Sequence, residues 1–167
     1  MGVSFYDPYL PDGAELGAGF ARAASLGDLL AWSDVVSLHC PLTPETANLI
    51  DADALAAMKP EALLINTARG GLIDIGALEA ALRAGRLGGA GLDVLPAEPP
   101  EPSHPLIQAL ARREPWIDGR LLLTPHVAWF SAAGRADLRR KSAETARDYL
   151  TRGQLRNCVN RAHLAPN

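Results

Sequence analysis

The stretch Leu63-Leu64-Ile65-Asn66-Thr67-Ala68-Arg69-Gly70-Gly71-Leu72-Ile73-Asp74 constrains the fold more than any other part of the chain. Its uncharged apolar start reads as a strand buried in a parallel sheet. The run breaks into a polar turn with one arginine and two glycines. A helical pattern begins near Asp74, with Leu78, Leu82 and Leu87 on or near one face. In an open α/β sheet, ligands bind just beyond the carboxyl ends of such strands. The expectation is Arg69 at a strand end, over a site, on a backbone loosened by glycine.

The rest of the chain repeats the alternation. Val3 to Tyr6 is a short strand stopped by Pro8, which leaves Asp7 at its carboxyl end. Residues 11–19 are glycine-rich and read as loop. Ser25 caps a short helix with Asp28 in its first turn. Asp34 to His39 is a strand, followed by a rigid loop, Cys40-Pro41-Leu42-Thr43-Pro44. A helix capped by Asp51 closes before Pro60, and Gly85 ends the helix over 75–84 in left-handed fashion. Gly88 to Val94 is a strand whose end holds Asp93, and a proline-rich loop then carries Glu98. Residues 99–119 read as a long loop around a helical piece, 106–113. Leu121 to Thr124 is a strand stopped by Pro125, and His126 follows at once. Ser131 caps a long polar helix ending at Gly153. Strands alternating with helices predict an α/β class with a mostly parallel sheet.

A chain of 167 residues suffices for one domain with a sizeable core. A net charge of −3 argues against nucleic acid as the main partner. No apolar run approaches the roughly 20 residues of a membrane span, and no signal peptide opens the chain. Cys40 and Cys158 lie far apart, without CxxC or histidines at metal spacing. They read as reduced cysteines of a cytoplasmic protein, with no metal site expected.

Polar residues sit just past nearly every strand: Asp7, Cys40, Arg69, Asp93 with Glu98, and His126. Arg69 can hold a carboxylate through a bidentate fork. His126 can give or take a proton near neutral pH, and Glu98 beside it would orient the ring and favour its protonated form. The set suits a 2-oxo acid, with hydride supplied by a cofactor, because no side chain carries one. Spacing alone leaves plainer readings open. Arg69 could be a surface ion-pair partner, Glu98 a solvated loop acid, His126 a satisfied strand-end histidine, and Asp7 a turn former before Pro8.

Three motifs in order resemble the D-isomer-specific 2-hydroxyacid dehydrogenases: Asn66 to Asp74, then Gly91-Leu92-Asp93-Val94 with Glu98-Pro99, then Thr124-Pro125-His126. Tyr6-Asp7-Pro8-Tyr9-Leu10, Leu38-His39-Cys40, His126 to Ser131 and Asn157-Cys158-Val159-Asn160 are closer still to the C-terminal binding protein branch. The resemblance implies an NAD-dependent oxidoreductase interconverting 2-oxo acids and D-2-hydroxy acids. Arg69 would bind substrate, His126 would be the acid/base and Glu98 its partner. Asp7 would bind the adenosine ribose and disfavour NADP. Cys40, Pro41, Leu42 and Thr46 would line the cofactor, Thr67 and Ala68 would run under it, and Asp93 would face the nicotinamide. Trp129 would wall the substrate pocket.

The front departs from the family pattern, in which a substrate-domain segment, a strand and a GxGxxG turn come first. Gly13, Gly17 and Gly19 follow Asp7 with the wrong spacing. The expectation is therefore a Rossmann-like, doubly wound parallel sheet lacking its first strand and GxGxxG turn. Residues 1–130 would form a partial NAD-binding domain, and 131–167 a helix and tail returning to the substrate domain. In the order 3-2-1-4-5-6, an empty slot would separate the strand at Val3 from that at Leu63. Unpaired buried backbone costs about 1–3 kcal/mol per group, against about 5–15 kcal/mol of total stability. The intact parent is expected to be a homodimer, and the chain a fragment with weak NADH binding and little turnover. It could pair with a separate amino-terminal half, or act as an NAD-sensing, partner-binding module.

Overall fold

The computed structural model describes residues 1–163, so the end of the carboxyl-terminal tail lies outside the described residues. The chain divides into two compact units, Met1–Ala128 and Trp129–Asn167. In the first, the elements are β1 (Ser4–Phe5), α1 (Ala14–Ala18), β2 (Ala21–Arg22), α2 (Leu26–Trp32), β3 (Val35–Leu38), α3 (Ala52–Ala57), β4 (Leu63–Asn66), α4 (Ile75–Arg83), β5 (Gly89–Leu92), α5 (Pro105–Ala111) and β6 (Leu121–Leu123). The second holds α6 (Ala132–Arg152) and a 3₁₀ turn, Arg161–His163.

Strands β3-β4-β5-β6 form one all-parallel sheet in chain order. Each strand exposes alternate side chains to opposite faces. Val36, Leu38, Leu64, Ala90, Leu92 and Leu121 enter one core with Leu30 of α2, Leu55 of α3, Leu78 and Leu82 of α4, and Leu106 of α5. Fully burying each leucine is worth about 1.5–3 kcal/mol. Side-chain caps start the helices where the sequence places them. Ser25 accepts from the Asp28 amide, Asp51 from Ala54, and Asp74 from Gly76 and Ala77. Gly85 takes φ 68° just past α4.

The opposite face of the sheet is bare. Val35, Leu63 and Leu122 are 55%, 42% and 65% exposed. Among the described residues the sheet is thus covered on one side, where a doubly wound sheet is covered on both.

Three sequence expectations are corrected. The residues 11–19 contain a helix, α1, bracketed by left-handed Gly13 (φ 90°) and Gly19 (φ 71°). Ala21–Arg22 is a strand, paired in parallel with β1 in a separate two-stranded sheet. It is too short to show any alternation. Missing it shifts the strand count by one, and that error misplaces the slot. The strand β4 does not border a vacancy: β3 and β5 flank it on either side. The open edge belongs to β3, whose described partner is β4 alone.

In the second unit, Ser131 caps α6 through the Gly134 amide, and Gly153 ends it at φ 65°. This helix is polar around nearly its whole circumference. It carries the pairs Asp137–Arg140, Asp137–Lys141 and Arg140–Glu144, at i,i+3 and i,i+4 spacing on an exposed face. Asp148, its one buried residue, receives Arg147, Arg152 and Arg156. The Arg147 hydrogen bond, set against burial, holds the Asp148 carboxyl below its usual range.

Candidate active site

The sheet register aligns the strand ends. Leu38 lies beside Asn66, Asn66 beside Leu92, and Leu92 beside Leu123. All four strands run the same way. The loops carrying Cys40, Arg69, Asp93 with Glu98, and His126 therefore leave one edge of the sheet side by side.

The Arg69 turn is stapled from below. Asn66 is fully buried, donates from Nδ2 to the Arg69 carbonyl at 2.9 Å and accepts the Ala68 amide at Oδ1, also 2.9 Å. Gly70 and Gly71 form a 3₁₀ turn with Leu72. Neither needs a positive φ, so the glycines do not loosen the backbone. They permit close approach instead. A Cβ on Gly70 would lie 1.9 Å from the Leu95 carbonyl carbon, and one on Gly71 would lie 2.9 Å from Leu42 Cδ2. The turn is thus pressed against both neighbouring loops. Above it the Arg69 side chain is exposed, with Nη1 donating to the Ala68 carbonyl at 2.6 Å. Thr67 is exposed and Ala68 half-buried.

Glu98 and His126 meet. Glu98 Oε2 and His126 Nδ1 are 2.7 Å apart, and Glu98 Oε1 accepts the Leu95 amide at 2.9 Å. The His126 hydrogen bond, then the Leu95 amide, hold the Glu98 carboxyl below its usual range. Both side chains remain partly exposed. His126 itself sits in the left-handed region at φ 54°, uncommon for a residue with a Cβ. Asp93 fixes it there. Its carbonyl accepts the His126 amide at 2.9 Å, and its carboxylate accepts the Val127 and Ala128 amides, each at 2.9 Å, and the Thr124 hydroxyl. Burial pushes the Asp93 carboxyl up, but the hydrogen bonds from Thr124, Ala128 and Val127 outweigh it and hold it below the usual range.

Thr46 donates its hydroxyl to the Pro41 carbonyl at 2.7 Å and accepts the Thr43 amide at 2.8 Å, so it shapes the loop of Cys40, Pro41 and Leu42. Cys40 is half-buried, and burial pushes its thiol up. Asp7 accepts the Tyr9 amide at Oδ1, 2.9 Å away, and no described residue donates to Oδ2. Trp129 belongs to the second unit, 55% exposed and edge-on to Phe130 at 5.6 Å. A nicotinamide dinucleotide fits this donor set: a carboxylate oxygen of Asp7 is open to a ribose hydroxyl, and an arginine and a carboxylate-held histidine stand at the other strand ends. Gly13 and Gly19 are spent as the caps of α1 and form no phosphate loop.

Residues 1–128 match the model for the D-isomer specific 2-hydroxyacid dehydrogenase NAD binding domain. The chain belongs to that family. A Haemophilus influenzae protein assigned to the 2-hydroxyacid dehydrogenases is 46% identical over 123 residues, covering 74% of this chain and 38% of that protein. A glycerate dehydrogenase of Methylorubrum extorquens is 50% identical over 106 residues, covering 64% and 32%. The chain thus spans about a third of the length of these curated relatives. The apo D-mandelate dehydrogenase of Rhodotorula graminis superposes with a TM-score of 0.76 at 34% identity, over 92% of this chain and 42% of that one.

Within this dehydrogenase domain, sequence reasoning did not single out Asn66 or Gly70, or see Asp93 as the anchor of the His126 loop. A polar residue ending an apolar strand run is the signal that could have marked Asn66. The roles of Gly70 and Asp93 depend on contacts with segments more than 20 residues away, which no local pattern contains.

Proposed function

We propose that this chain is the cofactor-binding part of an NAD(H)-dependent oxidoreductase that interconverts 2-oxo acids and D-2-hydroxy acids. The observation carrying the reading is the Glu98–His126 pair at 2.7 Å, which joins the loops after β5 and β6, the next two strands along the sheet edge from the Arg69 turn. NADH, when bound, supplies the hydride. Arg69 binds the substrate carboxylate and polarises its carbonyl through its fork of donors. Glu98 holds Nδ1 of His126 and orients the imidazole, and His126 gives a proton to the carbonyl oxygen or takes it from the alcohol. Asp7 accepts the adenosine ribose hydroxyl. Cys40 to Thr46, Thr67, Ala68 and Asp93 flank the cofactor, and Trp129 walls a pocket for larger, apolar acids as in the C-terminal binding protein branch. The intact enzyme is a cytoplasmic homodimer, with its amino-terminal portion packed on the bare sheet face and the open edge of β3.

The test is a chimera in which this chain follows the amino-terminal portion of the Haemophilus relative. It should oxidise NADH in the presence of 2-oxo acids. His126→Asn and Arg69→Gln should each cut kcat/KM at least about 100-fold. A folded chimera that binds NADH yet is indifferent to both substitutions sinks the proposed roles. Titrating the 167-residue chain with NADH, while following tryptophan emission, measures how much of the cofactor site it carries alone.

A further inference from the structure

The turn after β1 has an imbalance of hydrogen-bonding groups. Residues 7–12 include Pro8 and Pro11, so two of six amides are missing while every carbonyl remains. Proline carries no N–H, and unsatisfied carbonyls disfavour one fixed shape. The deficit is met by one side chain from β2. Arg22 Nη2 donates to the Asp7 carbonyl at 2.8 Å and to the Leu10 carbonyl at 2.9 Å, and Nη1 reaches the Pro11 carbonyl at 3.4 Å. Nη1 also lies 3.6 Å from Asp12, while the Arg22 side chain is only 20% exposed. Parallel pairing of Phe5 with Arg22 sets the guanidinium beneath the turn. A second anchor comes from the Tyr9 hydroxyl, which donates to Glu45 in the loop after β3.

We infer that Arg22 is the positioning residue for Asp7 and, through it, sets the preference for NADH over NADPH. This rests on the cofactor reading above. An arginine near this position could instead welcome the 2′-phosphate of NADP. Arg22 has its donors on backbone carbonyls and is turned into the loop, so it does not offer that welcome. What it does is hold the Asp7 backbone at both ends of the turn, which fixes where the open carboxylate oxygen points. A hydrogen bond to a charged group is worth about tenfold or more in affinity, and a carboxylate free to wander forfeits most of it.

The experiment measures NADH and NADPH dissociation constants for the 167-residue chain and for Arg22→Met, Asp7→Ala, the double variant and Asp12→Asn. Arg22→Met should weaken NADH about tenfold or more and leave NADPH no weaker, because NADPH cannot use the ribose contact and its 2′-phosphate is repelled by Asp7. The double variant should be no worse than Asp7→Ala, and Asp12→Asn should match wild type. Equal losses for both dinucleotides, or losses that add in the double variant, overturn the inference in favour of a merely structural arginine. Hydrogen exchange provides a readout independent of binding. A peptide covering residues 7–14 should exchange at least about tenfold faster in Arg22→Met, with one covering 62–72 unchanged. An unchanged 7–14 peptide overturns the clamp whatever the dinucleotides do. If the 167-residue chain binds neither dinucleotide, the same substitutions in the chimera above give the dissociation constants, and equal losses for both dinucleotides there overturn the inference; a chimera that binds neither overturns the cofactor reading instead.

Discussion

At the scale of single residues, the site depends on groups that never meet a substrate. Gly70 is the clearest. Its missing Cβ would strike the Leu95 backbone at 1.9 Å, whereas that of Gly71 would meet the far end of the Leu42 side chain at 2.9 Å. Backbone cannot step aside as a leucine methyl can. Gly70→Ala should therefore cost about 3 kcal/mol or more, and Gly71→Ala about 1 kcal/mol or less, in urea unfolding. Equal costs would remove the close-approach explanation. Glu98 and Asp93 make a second case. Both carboxyls are held below their usual range in the fold. The unfolded state therefore takes up protons first as pH falls. Their contribution is complete above the unfolded carboxyl pKa of about 4 and fades as pH drops through the lower folded values. The melting temperature should fall steeply below about pH 4. Glu98→Gln should flatten the fall, modestly because the pair is partly exposed, and Asp93→Asn more, because Asp93 is 5% exposed. Parallel melting curves for all three proteins from pH 3 to 7 would deny these carboxyls the assigned part.

At the scale of elements, the sheet is unevenly supported. The strand β4 is paired on both sides over all of Leu63–Asn66, whereas β3 pairs with β4 alone among the described residues. Half the backbone groups of an edge strand lack ladder partners. In native-state hydrogen exchange, amides of β4 should approach the protection of global unfolding, while alternate amides of β3 and those of the two-residue strands β1 and β2 exchange orders of magnitude faster. Uniform protection across β3 and β4 would mean that the β3 edge is covered. The helices α2, α3, α4 and α6 were legible because each begins at a side-chain cap and two of them end at a left-handed glycine. The strands β3 to β6 were legible from apolar runs ended by polar or proline residues. The elements missed, α1 and β2, have five residues and two. Neither is long enough to repeat its own period, of about 3.6 residues in a helix and 2 in a strand, so no pattern marks them in the sequence.

At the scale of the molecule, a parallel sheet normally buries both faces. Here the face of Val35, Leu63 and Leu122 is open. Contiguous exposed apolar surface on a folded chain marks a place of association. The native chain should enhance the fluorescence of a hydrophobic dye such as ANS at neutral pH, and Leu63→Gln with Leu122→Gln should reduce that signal while preserving far-UV circular dichroism. No enhancement in the wild-type chain would mean that the face is covered in solution. No helix among the described residues is long and apolar enough to cross a membrane.

The sequence by itself determined the alternation of strands and helices, the parallel sheet, and the order in which Arg69, Glu98 and His126 follow their strands. These are matters of local period, caps and proline stops, which a chain carries whatever it later touches. Tertiary structure alone decided which strand stands at the open edge. It also decided that Gly70 and Gly71 serve close packing, that Asp93 props the His126 loop, and that Arg22 ties down the turn of Asp7. Each of these depends on a contact between segments 10 or more residues apart, and such a contact exists only once the sheet register is fixed.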